Sequence, residues 1–90
     1  MAVSILIPTA LRAFTDRNSE VSVEGAAVGE AIAALAEKYP DIRQHLYKEG
    51  ELRSFINIFV GETNIKNLQG LDTALSPGAE IMLVPAIAGG

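Results

Sequence analysis

Gly25-Ala26-Ala27-Val28-Gly29-Glu30-Ala31-Ile32-Ala33-Ala34-Leu35-Ala36-Glu37-Lys38-Tyr39-Pro40 is the stretch on which the fold turns. Val28, Ala31, Ile32, Leu35, Ala36 and Tyr39 recur at helical spacing, while Glu30, Glu37 and Lys38 fall off that stripe. Alanine, the strongest helix former, dominates the run. Pro40 disfavours helical geometry at Tyr39, so the spacing predicts a helix over 26–39. Its start is weakly marked. No Ser, Thr, Asp or Asn stands there, which leaves Gly25 as the expected cap.

Outward from this helix the period falls to two. Val3, Ile5 and Ile7 alternate with Ala2, Ser4 and Leu6 in a strand that ends at Pro8. Glu20 to Glu24 sets Val21 and Val23 on one face and Glu20, Ser22 and Glu24 on the other. Asp16-Arg17-Asn18-Ser19 is turn chemistry, and Leu11 and Phe14, spaced i, i+3, are expected to pin this long connection to the body. Beyond Pro40, Asp41 to Tyr47 offers one more helical turn, followed by a polar loop, Lys48-Glu49-Gly50-Glu51. Phe55-Ile56-Asn57-Ile58-Phe59-Val60 is the strongest strand in the chain, rich in β-branched and aromatic residues. Gly61-Glu62-Thr63-Asn64 then turns into a short strand around Ile65-Lys66. A short helical turn over 70–75, a second turn at Ser76-Pro77-Gly78-Ala79 and a last strand from Ile81 to Val84 complete the order.

With a single long helix, the chain must cover one face of a mixed sheet of four or five strands, with the first and last strands at its centre. This is an α+β roll of the β-grasp type. Residues 1–84 are assigned to it and residues 85–90 to an extended tail.

Composition narrows the function. Ninety residues, 49% hydrophobic and 20% charged, describe one small globular domain. Such a domain buries only roughly 60–65% of its unfolded surface, which leaves little room for an enclosed catalytic pocket. Seven basic residues stand against eleven acidic ones, a net charge of −4, and no two basic residues are adjacent. Nucleic acid and anionic membrane are therefore poor partners, and a basic docking surface on another protein is a better one. The absence of cysteine removes disulfides, thiolate nucleophiles and Cys-type metal sites. The opening Met1-Ala2-Val3-Ser4-Ile5-Leu6-Ile7-Pro8 lacks the basic lead of a signal peptide, and no apolar run approaches the ~18 residues of a membrane span. A cytoplasmic protein is expected.

The usual catalytic constellations are missing. His45 is the one histidine, beside Arg43 and Gln44 and one turn from Asp41, and it reads as a solvent-facing or lightly packed side chain. Glu49 and Glu51 flank a glycine and read as solvation. Gly25 and Gly29 lie between strand and helix, but the third glycine and the Lys-Ser/Thr of a phosphate loop are absent.

The end of the chain stands out. From Ile81 onward there is no charged side chain, and the chain closes on Gly89-Gly90. The bland reading is a frayed terminus. Against it, Pro85 and Ile87 would sit in water with no benefit to folding. The one reactive group at the tip is the α-carboxylate of Gly90, inert until another protein activates it, with ATP as the natural reagent. Two glycines without Cβ pass a narrow channel and leave the carbonyl carbon open to attack. Six tail residues at ~3.3–3.6 Å each reach roughly 20 Å into a partner. The sheet supports docking too. If Ile56, Ile58 and Val60 face the helix, then Phe55, Asn57 and Phe59 face away, and the same alternation turns Met82 and Val84 outward. Were those strands neighbours, Phe59, Met82 and Val84 would form an exposed apolar patch leading into Pro85 and Ile87, unless loops or the 41–54 segment cover it.

Ile7-Pro8-Thr9-Ala10-Leu11-Arg12, the strand Phe55 to Gly61, the Leu71-to-Ala74 turn, Ser76-Pro77-Gly78 with Glu80, and Leu83-Val84-Pro85-Ala86-Ile87-Ala88-Gly89-Gly90 together resemble the ubiquitin-like sulfur carrier proteins. That family includes the small subunit of molybdopterin synthase, the thiamine-pathway carrier and the cysteine-biosynthesis carrier, and the opening and tail look closest to the last. Ala27 departs from the pattern, where the family often has Thr or Ser. The resemblance implies that an adenylyltransferase similar to ubiquitin-activating proteins adenylates Gly90 and a sulfur donor converts it to a thiocarboxylate. A synthase then accepts the sulfur: a pyridoxal-phosphate cysteine synthase, with a metalloprotease releasing the product, or the large subunit of molybdopterin synthase. It implies a protein cosubstrate rather than an enzyme. No cofactor is then held by this chain; ATP, pyridoxal phosphate and zinc belong to partners. Two other classes share the features: a ubiquitin-like modifier that joins the same carboxylate to lysine, and a binding module whose tail merely plugs a partner.

Overall fold

A computed structural model of the chain describes residues 2–48, 51–52 and 56–85. Alternation in β1 (Ala2–Leu6) turns Val3 and Ile5 into the core and leaves Ser4 and Leu6 on the other face. A 3-10 turn over Thr9–Phe14 drops Leu11 into the same core, with Phe14 packed at its edge. Strand β2 (Glu20–Glu24) returns antiparallel to β1, with Val3 opposite Val23 and Ile5 opposite Val21, so all four side chains share one face.

The helix α1 (Val28–Lys38) buries Val28, Ala31, Ile32, Leu35 and Ala36, the stripe predicted from spacing, and Tyr39 is partly buried beyond its end. Its cap is Ala27, not Gly25, and makes no side-chain capping bond. Distant backbone completes the start instead. The Val28 N–H donates to the Thr73 carbonyl at 3.0 Å, the Leu75 N–H donates to the Ala26 carbonyl at 2.9 Å, and Ala27 bridges Ala74. The Glu30 carboxylate, in the first turn, accepts the Ala26 N–H at 2.9 Å. Gly25 serves close approach: a Cβ there would lie 2.9 Å from the Ala31 backbone nitrogen.

After Pro40 a 3-10 turn runs into α2 (Arg43–Leu46), and Ile42 and Leu46 are fully buried. Strand β3 (Tyr47–Lys48) then pairs antiparallel with β4 (Glu51–Leu52), so Lys48 and Glu51 of the expected polar loop are paired in a two-stranded ribbon, while Glu49 and Gly50 lie outside the described residues. Strand β5 (Ile56–Val60) pairs with the short β6 (Thr63–Asn64). The strand expected at Ile65–Lys66 is a 3-10 turn, closed by the Asn64 side chain accepting the Lys66 N–H at 2.9 Å. At Ser76–Ala79, the Ala79 N–H donates to the Ser76 carbonyl at 3.0 Å and Gly78 has φ +80°, a type II turn that needs glycine there. It delivers the chain into β7 (Glu80–Pro85).

The main sheet has the order β2-β1-β7-β5-β6, with β7 parallel to β1 and antiparallel to β5. First and last strands lie side by side, as expected, and the fold is the ubiquitin-like β-grasp. The core is the layer between α1 and the sheet, where Ile5, Ile32, Leu35, Ile58, Ile81 and Leu83 are almost wholly buried. Each such side chain contributes about 1.5–3 kcal/mol relative to exposure. Among the described residues no helix is long and apolar enough to cross a membrane.

Candidate functional site

Because side chains alternate, everything the core does not take from the strands is displayed on the sheet's far face. Register decides what meets there. Leu6 stands beside Met82, and Met82 stands opposite Phe59, so one apolar row crosses β1, β7 and β5. Val84, opposite Asn57, extends it toward the end of β7. The next row the other way is polar: Ser22, Ser4 and Glu80. Apolar character is thus concentrated at the end of the sheet from which the chain runs on toward Gly90.

Met82 is 40% exposed and Val84 37%, while Phe59 and Leu6 are half-buried. Residues 49, 50 and 53–55 of the 41–54 segment, weighed as a cover for this face, lie outside the described residues; the β5–β7 register brings Phe59, Met82 and Val84 together on one face, with Met82 and Val84 exposed. Leu6 belongs with them and was not among the predicted site residues. Its outward direction was legible, but only the parallel pairing of β1 with β7 places it next to Met82. A groove of about 410 Å³ continues from this row, lined by Leu6, Pro8, Thr9, Arg12, Met82 and Val84 among others.

The backbone of Pro85, expected as the first tail residue, still belongs to β7 and pairs with Ile56. Phe55, Ile87, Gly89 and Gly90 lie outside the described residues, and with them residues 86–90 of the expected tail.

Elsewhere the chemistry is sparse. His45 stacks on Phe14 with ring centroids 4.0 Å apart and 28° between the planes, a packed surface histidine. Among the described residues no three metal-ligating side chains gather. An open hollow of about 810 Å³ runs along the far side of α1, lined by small side chains such as Ala33 and Ala36 and by Glu37, Asp41 and Tyr47. Burial pushes the Tyr47 hydroxyl above its ordinary 10.0, and the nearby positive charge of Arg43 pulls it partly back. Among the described residues lining the hollow, no nucleophile and base are paired beside it.

The ThiS family matches residues 5–90 of this chain. The sulfur carrier protein CysO of Mycobacterium tuberculosis is 36% identical over 93 residues, covering 100% of both chains. In three dimensions the chain is similar to the crystal structure of the Amycolatopsis orientalis BexX/CysO complex, with a TM-score of 0.88, 34% identity, and coverage of 98% of this chain and 99% of that one. It is also similar to the solution structure of small archaeal modifier protein 1 from Methanosarcina acetivorans, with a TM-score of 0.90, 28% identity, and coverage of 99% and 96%. A family match over nearly the whole length, a full-length carrier relative and a shared β-grasp establish that the chain belongs to the ThiS family of ubiquitin-like sulfur carriers.

Proposed function

We propose that this chain carries sulfur on its own C-terminus, in the manner of a cysteine-biosynthesis carrier. The observation that carries the reading is the end-to-end relation to CysO, a sulfur carrier protein. The apolar row of Leu6, Met82, Phe59 and Val84 supports it, because it lies at the end of the sheet leading to Gly90. An ATP-dependent adenylyltransferase docks on that row, with Pro85 and Ile87 continuing the contact. The Gly90 carboxylate oxygen attacks the α-phosphorus of ATP and pyrophosphate leaves. Hydrosulfide, or its equivalent on a donor protein, then attacks the acyl carbon. AMP leaves, a proton is released, and Gly90 ends as a thiocarboxylate. A pyridoxal-phosphate synthase accepts the sulfur, and a metalloprotease trims the product. The chain itself is a cosubstrate in the cytoplasm, and its cofactors reside on these partners.

A second reading is a protein modifier, in which a lysine amine attacks the same adenylate-derived acyl group. The likeness to a small archaeal modifier protein at 28% identity favours keeping it. A role as the small subunit of molybdopterin synthase shares the thiocarboxylate and differs in requiring a stable complex with a large subunit.

Deleting Gly90, or adding one residue after it, tests the reading. Both changes abolish ATP–pyrophosphate exchange with the purified adenylyltransferase and leave thermal unfolding unchanged, since no core residue is touched. Undiminished exchange by an extended chain that resists trimming contradicts it.

A further inference from the structure

The groove beside the apolar row is not wholly apolar. Among the described residues, Arg12 is the one basic side chain that lines it. This side chain is half-buried and tethered at Nε, and the backbone that carries it is fixed as well. Its Nε donates to the Ile7 carbonyl at 3.0 Å. Its own carbonyl accepts the Arg17 N–H at 2.7 Å and the Thr15 N–H at 3.1 Å. Thr15 is fully buried, and its hydroxyl donates to the Asn18 carbonyl at 3.1 Å, which closes the turn behind Arg12. With Nε occupied, the two terminal nitrogens of the guanidinium remain as a planar pair of donors, the geometry that matches a carboxylate. Among the described residues no carboxylate is paired with it, although the chain carries eleven acidic side chains. Holding a guanidinium still costs side-chain entropy, and here the backbone has already met that cost.

We propose that Arg12 makes this face selective: the partner protein seats an apolar side chain between Leu6, Pro8, Met82 and Val84 and carries, beside it, a carboxylate that the Arg12 guanidinium receives. The occupant is a protein surface pairing an apolar anchor with an acidic residue. Charge complementarity assigns the acidic member, and the continuous apolar lining assigns the anchor. A chain of net charge −4 meets other acidic surfaces with repulsion, so a fixed cation in a largely apolar groove tells a cognate partner from a merely acidic one. The inference rests on the reading of the outer face as the surface that meets the activating enzyme.

ATP–pyrophosphate exchange with the purified adenylyltransferase is the test, with carrier concentration varied. Arg12→Gln is expected to raise the KM for the carrier about tenfold with kcat nearly unchanged, and to flatten the dependence of KM on salt. Arg12→Lys, which keeps the charge but not the fork, falls between. Arg43→Gln, which removes the same charge from the far side of α1, leaves KM nearly unchanged. An unaltered KM in Arg12→Gln overturns the proposal. So does a loss confined to kcat, which would place the guanidinium on the chain's own terminal carboxylate. Equal losses in the Gln and Lys variants, accompanied by lower thermal stability, would reduce Arg12 to a loop fastener and overturn it as well. If the unmodified chain supports no exchange at all, it is the carrier reading that fails.

Discussion

Met82 sits where the outer face is decided, with Leu6 on one side and Phe59 on the other. It is 40% exposed, and its neighbours in the core direction, Ile81 and Leu83, already hold the strand in place. Met82→Glu is therefore expected to change folding stability by no more than about 1 kcal/mol, since only strand propensity and an exposed contact are altered. The same change places a charge at the centre of an apolar patch, and under the proposed function is expected to weaken engagement of an activating enzyme about tenfold or more. Exchange kinetics and a denaturation curve on one sample separate the two effects. Tyr47 gives the opposite kind of prediction. Its folded pKa is raised by burial, so the fold holds the neutral hydroxyl and the unfolded chain ionises first. The stability it contributes is complete below the ordinary value of 10.0 and is lost as pH rises through the higher folded value. Thermal midpoints followed from roughly pH 9 to 12 should fall less steeply in Tyr47→Phe than in the unmodified chain. Identical slopes would remove burial of this hydroxyl as a cause.

At the scale of the element, α1 shows what a sequence can and cannot announce. Its buried stripe was readable because a 3.6-residue period records which face meets the core. Its start was not, because the groups that satisfy it come from Thr73 and Leu75, far along the chain, and from Glu30 reaching back to Ala26. Gly25 attracted the role of cap only because no capping side chain was in sight. Its real constraint is the Ala31 backbone, 2.9 Å from where a Cβ would stand. Gly25→Ala should accordingly cost about 1–3 kcal/mol in chemical denaturation, although alanine is the better residue for a nearby helix. A neutral or stabilising result would mean that the entry to α1 shifts freely. The ribbon of β3 and β4 escaped notice for a different reason. Two-residue strands are too short to show a period, and Lys48 and Glu51 look like solvent-facing loop in composition alone. Thr63–Asn64 and Ile65–Asn67 exchanged roles because an Asn side chain caps a turn that β-branched Ile65 seemed to oppose.

For the whole molecule, alternation said which residues of each strand face outward, and topology said which of them meet. Phe59, Met82 and Val84 could be named conditionally from the sequence, and the β5–β7 register met the condition. Leu6 could not, since nothing local says that β1 lies parallel beside β7. Nor could Arg12, whose place in the groove depends on a 3-10 turn folding back over Ile7. The body reads as a rigid support: a core between one helix and five strands, and an apolar row set at the end that leads to the terminal glycines. The proposed function divides the labour accordingly, with recognition on the sheet and reactivity at the backbone carboxylate of Gly90. Intact-mass analysis of the chain recovered from cells that make it, under conditions that preserve thioacids, tests this most directly. The account predicts a species heavier by the exchange of one oxygen for one sulfur, with the change mapped to a C-terminal peptide ending at Gly90. A pool that carries no sulfur, and that an activating enzyme with ATP and sulfide cannot convert, would contradict it.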